Sequence, residues 1–359
     1  MDLSAFRDKD LARGLIKAIH EIAPEHASLM EVCGTHTVSI ARAGLRSAMP
    51  EGIELLSGPG CPVCVTANRD IDAMIACARI PNTIVVTFGD MMRVPGSTSS
   101  LLAEKAEGHD VRVVYSPVDA LKIANENPDK HIVFCGVGFE TTAPVIASVI
   151  KRAKAQDIKN FSIYCAHKTV PAALEALICD PGVKLDALIL PGHVSTIIGS
   201  KPYEFLAEKY GIPGVVTGFE PCDLLQGIGE LLRMLKRGEA RIEIAYARGV
   251  MAQGNPAAVA MLNEVFEPCD AVWRGLGLIP GSGLSIRKEF ELYDATKRLE
   301  IEVEETREHK GCRCGDVLRG AMKPSSCGLF GKACTPEHPI GPCMVSSEGS
   351  CAAYFRYHL

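Results

Sequence analysis

The sequence predicts an α/β protein that ends in a separate cysteine-rich segment. Two observations carry this expectation. Over roughly the first two thirds of the chain, short apolar runs alternate with helical patterns, the rhythm of parallel strands covered by helices on both faces. The last forty-odd residues then hold six of the fifteen cysteines, Cys312, Cys314, Cys327, Cys334, Cys343 and Cys351, in a stretch rich in Gly and Pro and poor in core residues.

Taken in order, residues 8–48 read as helical, broken at Pro24 and at Cys33-Gly34. Gly52–Ser57 reads as a strand ending in a Gly-Pro-Gly-Cys turn, and Asp70–Ala78 as a helix. Thr83–Phe88 and Asp110–Tyr115 are apolar, β-branched runs expected as strands, with a helix over Val118–Asn125. The rhythm then repeats: strands at His131–Cys135, Phe161–Tyr164, Ala187–Leu190 and Gly214–Thr217, and helices at Ala143–Ala155 and Tyr203–Tyr210. Short echoes favour two related units: Leu55–Cys61 resembles Leu188–His193, and Thr87–Asp90 resembles Thr217–Glu220. Arg241–Ala245 reads as a strand, Asn255–Val265 as a helix and residues 273–283 as a loop. Residues 286–310 carry dense charge of mixed sign, the mark of a solvated face or linker. The division expected is one α/β unit over 1–128, a second over 129–240, and a C-terminal domain over 241–359.

Bulk properties narrow the function. Hydrophobic content of 47% with 23% charged residues is globular, and 359 residues suit two or three domains. Net charge is −5 with no basic run, which argues against nucleic acid as a partner. The N-terminus is charged from Asp2 and has no apolar signal region, and no apolar run is long enough to span a bilayer. A cytoplasmic location is therefore expected. Structural disulfides are rare there, so fifteen cysteines point to metal, redox chemistry or burial. Burial is the reading for Cys77, Cys165, Cys179 and Cys269. Trp273 is expected in the core.

Three groups carry chemistry. A segment that lacks a core must be fixed by something other than apolar burial, and thiolates closing on a metal or cluster would do so. Cys327-x6-Cys334-x8-Cys343-x7-Cys351 offers four thiolates, the set a [4Fe–4S] cluster takes. Cys312 and Cys314 share one short arm and cannot both reach a cubane's corners without strain, so the last four are the set chosen, with replacement of one of them by Cys312 or Cys314 left open. Zinc is the alternative, with His338 as a candidate ligand, although structural zinc usually brings two close cysteine pairs. Cys61-Pro-Val-Cys64 follows a strand and opens a helix, where the helix dipole activates a thiol. It is expected either to cycle between dithiol and disulfide or to bind a metal. Cys33-Gly-Thr-His36 places a thiol and an imidazole on one side of a turn, with His36 as acid–base partner or as donor to a metal-bound thiolate. Asp90, Glu140, His193 and Glu348 are expected to line the cleft between units. Gly136-Val-Gly-Phe-Glu140 lacks the full dinucleotide fingerprint, so a nucleotide is not expected.

Five motifs in this order carry a family resemblance: Cys33-Gly-Thr-His-Thr37, Gly58-Pro-Gly-Cys-Pro-Val-Cys64, Gly138-Phe-Glu-Thr-Thr142, Pro191-Gly-His-Val-Ser195 and Cys343-Met-Val-Ser-Ser-Glu-Gly-Ser-Cys351. Over essentially its whole length the chain resembles the HypD family of hydrogenase maturation factors. The resemblance implies two Rossmann-like parallel-sheet units plus a C-terminal iron–sulfur module. It implies a scaffold on which the Fe(CN)2(CO) unit of [NiFe]-hydrogenase is built, with Fe(II) carrying cyanide and CO as the assembly intermediate. The partners implied are a HypC-type small chaperone and a HypE-type cyanide donor. By motif, Cys33, Cys61 and Cys64 form the assembly site, and the tail cysteines hold the cluster. Two divisions of labour are open: Cys33 anchors iron while Cys61 and Cys64 exchange electrons with the cluster, or Cys33 and Cys64 bind iron while Cys61 is redox-active. The competing functional class is an iron–sulfur protein disulfide reductase.

Overall fold

The computed structural model describes residues 4–357. Its strands are β1 (Ala27–Glu31), β2 (Ile53–Ser57), β3 (Thr83–Thr87), β4 (Val111–Val113), β5 (His131–Gly136), β6 (Phe161–Cys165), β7 (Ala187–Leu190), β8 (Gly214–Val216), β9 (Ile242–Ile244), β10 (Phe266–Trp273) and β11 (Gly277–Ile286). A first parallel sheet runs β2-β1-β7-β8-β9 and a second runs β4-β3-β5-β6. β10 and β11 form an antiparallel hairpin. The expected α/β class with two parallel-sheet units and a cysteine-rich C-terminal region is what the molecule has.

The inner strands of each sheet are buried on both faces, as their composition demands. All five residues of β3, Thr-Ile-Val-Val-Thr, are buried, and so are Ala187–Leu190 of β7. The helix Pro221–Arg237 covers the first sheet together with Lys9–Ile22, and Ile19, Leu225, Ile228 and Leu232 fill the seam. Glu220 and Asp223 cap that helix reciprocally, Pro221 sits in its first turn, and Gly238 ends it at φ 64°.

Three expectations change. The unit boundaries do not follow the chain. The boundary expected at 128 separates β4 from β5, which share a sheet, and the one at 240 separates β8 from β9, which are hydrogen-bonded neighbours. The first unit is discontinuous, built from β1, β2, β7, β8 and β9, with the second unit inserted between β2 and β7. The echoed segments at Leu55 and Leu188 therefore lie on strands of one sheet; they share strand-end turn chemistry and do not mark a repeat. Residues 27–31 are the second change. They lack a β-branched residue and read as helical, yet they form β1, held between β2 and β7. The third is the expected loop 273–283, whose residues belong mostly to the hairpin. Its glycines at positive φ, Gly275, Gly277 and Gly281, hide the strand pattern.

The topology fixes where ligands can bind. In parallel sheets, crevices open at strand carboxyl ends where the winding direction reverses. In the first sheet that point lies between β1 and β7, whose following loops carry Cys33 and His193. In the second it lies between β3 and β5, whose loops carry Asp90 and Glu140.

Candidate metal-assembly site and cysteine cavity

Cys33 leaves β1 and becomes the N-cap of the helix Gly34–Arg42. It is buried, and burial pushes its thiol up to about 12, with the His36 amide opposing and the Glu348 and Glu31 carboxylates adding to the rise. Glu31, the last residue of β1, is fully buried. Its Oε1 accepts from Thr37 Oγ1 at 2.5 Å and its Oε2 from the Cys33 amide at 3.1 Å, so it orders the turn. Burial raises Glu31 to about 7 despite those bonds. His36 is buried, and desolvation lowers it to about 4, so it is neutral at pH 7. Its Nε2 lies 3.0 Å from the Gly218 carbonyl, which can only accept, so Nε2 carries the proton. Nδ1 then presents a lone pair that meets no partner.

The tail closes over this turn. Thr35 Oγ1 donates to Glu348 Oε1 at 2.7 Å, and a Cβ on Gly34 would stand 2.5 Å from the Cβ of Glu348. Glycine at 34 is what admits the Glu348 loop. Gly60 plays the same part on the other side: a Cβ there would overlap the backbone of Cys33, and the Gly34 amide donates to Gly60 O at 2.9 Å. The Gly-Pro-Gly turn thus lays Cys61 against Cys33.

Cys61 and Cys64 are joined in a disulfide across the short helix Pro62–Val65, with their Cα atoms 5.2 Å apart. Cys61 Sγ also caps the Cys64 amide at 3.2 Å. The two side chains of the Cys-x-x-Cys face each other at disulfide spacing. Cys64 Sγ lies 4.0 Å from the carbonyl of Pro342, the residue before Cys343, and Pro62–Val65 packs on the helix Pro342–Val345. The tail thiols and the Cys-x-x-Cys are neighbours.

All six tail cysteines line one small cavity, walled otherwise largely by Val317, Leu329, Phe330 and Met344. Cys312 and Cys314 face it with the other four. Cys314 Sγ and Cys343 Sγ lie 2.8 Å apart. Ile340 donates its amide to Cys334 Sγ at 3.4 Å. The donor set is soft, enclosed and apolar-walled, which fits an iron–sulfur cluster. A zinc tetrahedron with bonds of about 2.3 Å brings its sulfurs within about 3.8 Å of one another. Among the described residues, no three tail sulfurs lie mutually within 4.8 Å.

The remaining expected residues divide. Glu140 is buried, with Oε1 accepting from the Val170 amide at 2.9 Å and Oε2 without a partner; burial raises it to about 7. Tyr203 is buried, and burial, with Glu140 and Cys33 adding, pushes its hydroxyl well up. His193 stacks on Phe219 at 4.0 Å, and Phe219 also leans on His36 at 5.0 Å. Asp90 is exposed and makes no side-chain hydrogen bond to these groups among the described residues. Trp273 is in the core, as expected, whereas Cys179 is exposed rather than buried. Sequence reasoning missed Glu31, Tyr203 and Phe219. Glu31 left a signal, an acid at the end of an apolar run directly before the Cys-Gly-Thr-His motif. The other two left none, because their links to Cys33 and His36 span more than 160 positions.

The chain is similar in sequence to known proteins. The family model described as "Hydrogenase formation hypA family" (HypD) matches residues 10–358. A protein of Rhodobacter capsulatus named hydrogenase maturation factor HypD is 48% identical, over 99% of this chain and 97% of its own. Proteins with that name from Azotobacter vinelandii and Cupriavidus necator are 46% and 43% identical, over 98% and 99% of this chain and 95% and 96% of theirs. The chain belongs to the HypD family.

Proposed function

We propose that this chain is a hydrogenase maturation factor that binds iron as its substrate and assembles cyanide and CO on it, together with a HypC-type small chaperone and a HypE-type cyanide donor. The observation that carries this reading is the convergence of Cys33, the Cys61–Cys64 pair and the tail cavity at one sheet crevice. Cys33 anchors the iron. Its thiol is protonated when free, so binding iron releases a proton. Two neighbours are suited to handle it: the unpartnered Nδ1 of neutral His36, and the Glu31 carboxylate beside the Cys33 amide.

Cyanide delivered as a thiocyanate needs two electrons to leave its sulfur. The reduced Cys61–Cys64 pair supplies them: two thiols and R–S–CN give the Cys61–Cys64 disulfide, R–SH and HCN, which balances atoms and charge. The Cα atoms of the pair stand 5.2 Å apart, a spacing that suits closing of that disulfide. A [4Fe–4S] cluster held by Cys327, Cys334, Cys351 and one further tail thiol would supply single electrons to restore the dithiol. Glu140, half protonated near neutrality with a free oxygen, serves as a proton store for the same cycle.

A protein disulfide reductase would use the same pair, but it must present its thiols to a protein substrate. Cys61 is 3% exposed and Cys64 0%, which favours a small group delivered into the crevice. The test is stepwise anaerobic reduction of the iron-loaded protein, with alkylation and mass analysis of Cys61 and Cys64. Both thiols are expected to appear in wild type and to be lost in Cys327→Ser. Equal labelling in both proteins contradicts the relay.

A further inference from the structure

Two segments that the assembly chemistry leaves without a task, Pro191-Gly-His193 and Thr217-Gly-Phe-Glu220, interlock beside His36. They follow β7 and β8, neighbouring strands of the first sheet, so their loops leave it side by side. The ring of Phe219 is held on several sides. It stacks on His193 with centroids 4.0 Å apart, meets Tyr246 edge to face at 5.8 Å, and has the His36 ring 5.0 Å away, tilted by 35°. Tyr246 is fixed in turn by the Arg248 guanidinium at 4.7 Å, which Asp223 pairs. Glycine at 192 makes the room, because a Cβ there would stand 2.9 Å from Phe219 Cζ.

Phe219 is half-buried and faces two ways. Outside it is a groove of about 350 Å³ bordered by Arg7, Ser39, Arg42 and Glu220. Inside it is His36, which is 0% exposed. His36 donates Nε2–H to the carbonyl of Gly218, the residue before Phe219, and its Nδ1 meets no partner. A bare lone pair persists inside a protein only where water is kept from it, since a water molecule that reached it would donate a hydrogen bond. We infer that Phe219 is a positioning residue of the assembly site: its ring closes the outer groove off from His36, and so holds the imidazole in one orientation with a dry Nδ1 lone pair. The Gly218 carbonyl fixes which nitrogen carries the proton, and the adjacent ring keeps water from the other. Water at Nδ1 would take up the only free polar atom of the His36 ring. The inference rests on the assembly reading above, in which that lone pair serves the Cys33 site.

The test uses the full chain, free of iron, with nitrogen-labelled histidines in magnetic resonance. Two readings follow the barrier directly: the exchange rate of the His36 Nε2 proton with water, and the nitrogen shift of Nδ1, which separates a bare lone pair from a hydrated one. Wild type is expected to show slow exchange and a bare Nδ1. Phe219→Ala opens the groove onto the ring. It is expected to speed exchange by about tenfold or more and to move Nδ1 to its hydrated shift, while amide exchange in β1, β7 and β8 stays within about twofold. Phe219→Leu keeps bulk in the gap and is expected to stay within about threefold of wild type. Wild-type exchange with a bare Nδ1 in Phe219→Ala refutes the barrier. If that variant does not fold, wild type decides alone: a His36 proton that exchanges as fast as that of His26, whose side chain is 81% exposed, refutes it as well. A wild-type protein with a slow His36 proton that binds no iron would instead overturn the assembly reading itself.

Discussion

At the scale of single residues, the site is a set of buried groups whose protonation runs against their usual state. Glu31 and Glu140 are raised to about 7 by burial, while His36, and the buried His167 just after β6, are lowered to about 4 by the same cause. The two kinds act oppositely on stability. A carboxyl raised in the folded state contributes stability below its unfolded value, and loses it as pH rises through about 7. The lowered histidines contribute above their unfolded value near 6.5, and lose that contribution as pH falls toward 4. Glu140→Gln should therefore remove one cause of the alkaline decline, since the Gln carbonyl can still accept from Val170. Relative to wild type, the variant is expected to gain about 3 kcal/mol between pH 5 and pH 9, from about 1.4 kcal/mol per pKa unit. Thermal melts across that range check it, and a parallel decline in both proteins contradicts a buried, proton-holding Glu140. The key cysteines were legible from sequence because they stand in dense motifs. Glu140 was legible only as a strand-end polar group, and its missing partner appears only in three dimensions.

At the scale of elements, close backbone approach does the assembly. Gly60 lets the Cys61 turn lie on Cys33, and Gly34 lets the Glu348 loop lie on the helix that Cys33 caps. Gly60→Ala forces a methyl into the Cys33 backbone, an overpacking that costs about 1–3 kcal/mol or more. It should lower the melting temperature and abolish iron retention together. A variant that keeps iron and melts like wild type would mean that the turn moves freely. Most strands could be read from their β-branched apolar runs, as in Thr83–Thr87 and His131–Gly136. β1 could not, because Ala-Ser-Leu-Met-Glu has no local strand preference and takes its conformation from β2 and β7. The hairpin was hidden by glycines that serve its turns.

At the scale of the molecule, one unit inserted into another brings two sheet crevices together, and the tail spans them. The long-range pairing of β1 with β7 is invisible to a linear reading, which is why the boundaries at 128 and 240 fell inside sheets. The tail has little core of its own, and on the proposed cluster reading its thiols, as ligands, supply the order. Removing iron with a chelator should raise amide exchange across residues 312–351 by at least tenfold while the two sheets stay protected. Unchanged exchange would show that ligation does not order the tail. The central claim is that Cys33 holds iron on which cyanide and CO are assembled. The most direct measurement is the infrared spectrum of protein purified anaerobically with its small chaperone. Cyanide and CO bands in the window where protein is silent are expected in wild type and absent in Cys33→Ala; the same bands in Cys33→Ala would contradict the account.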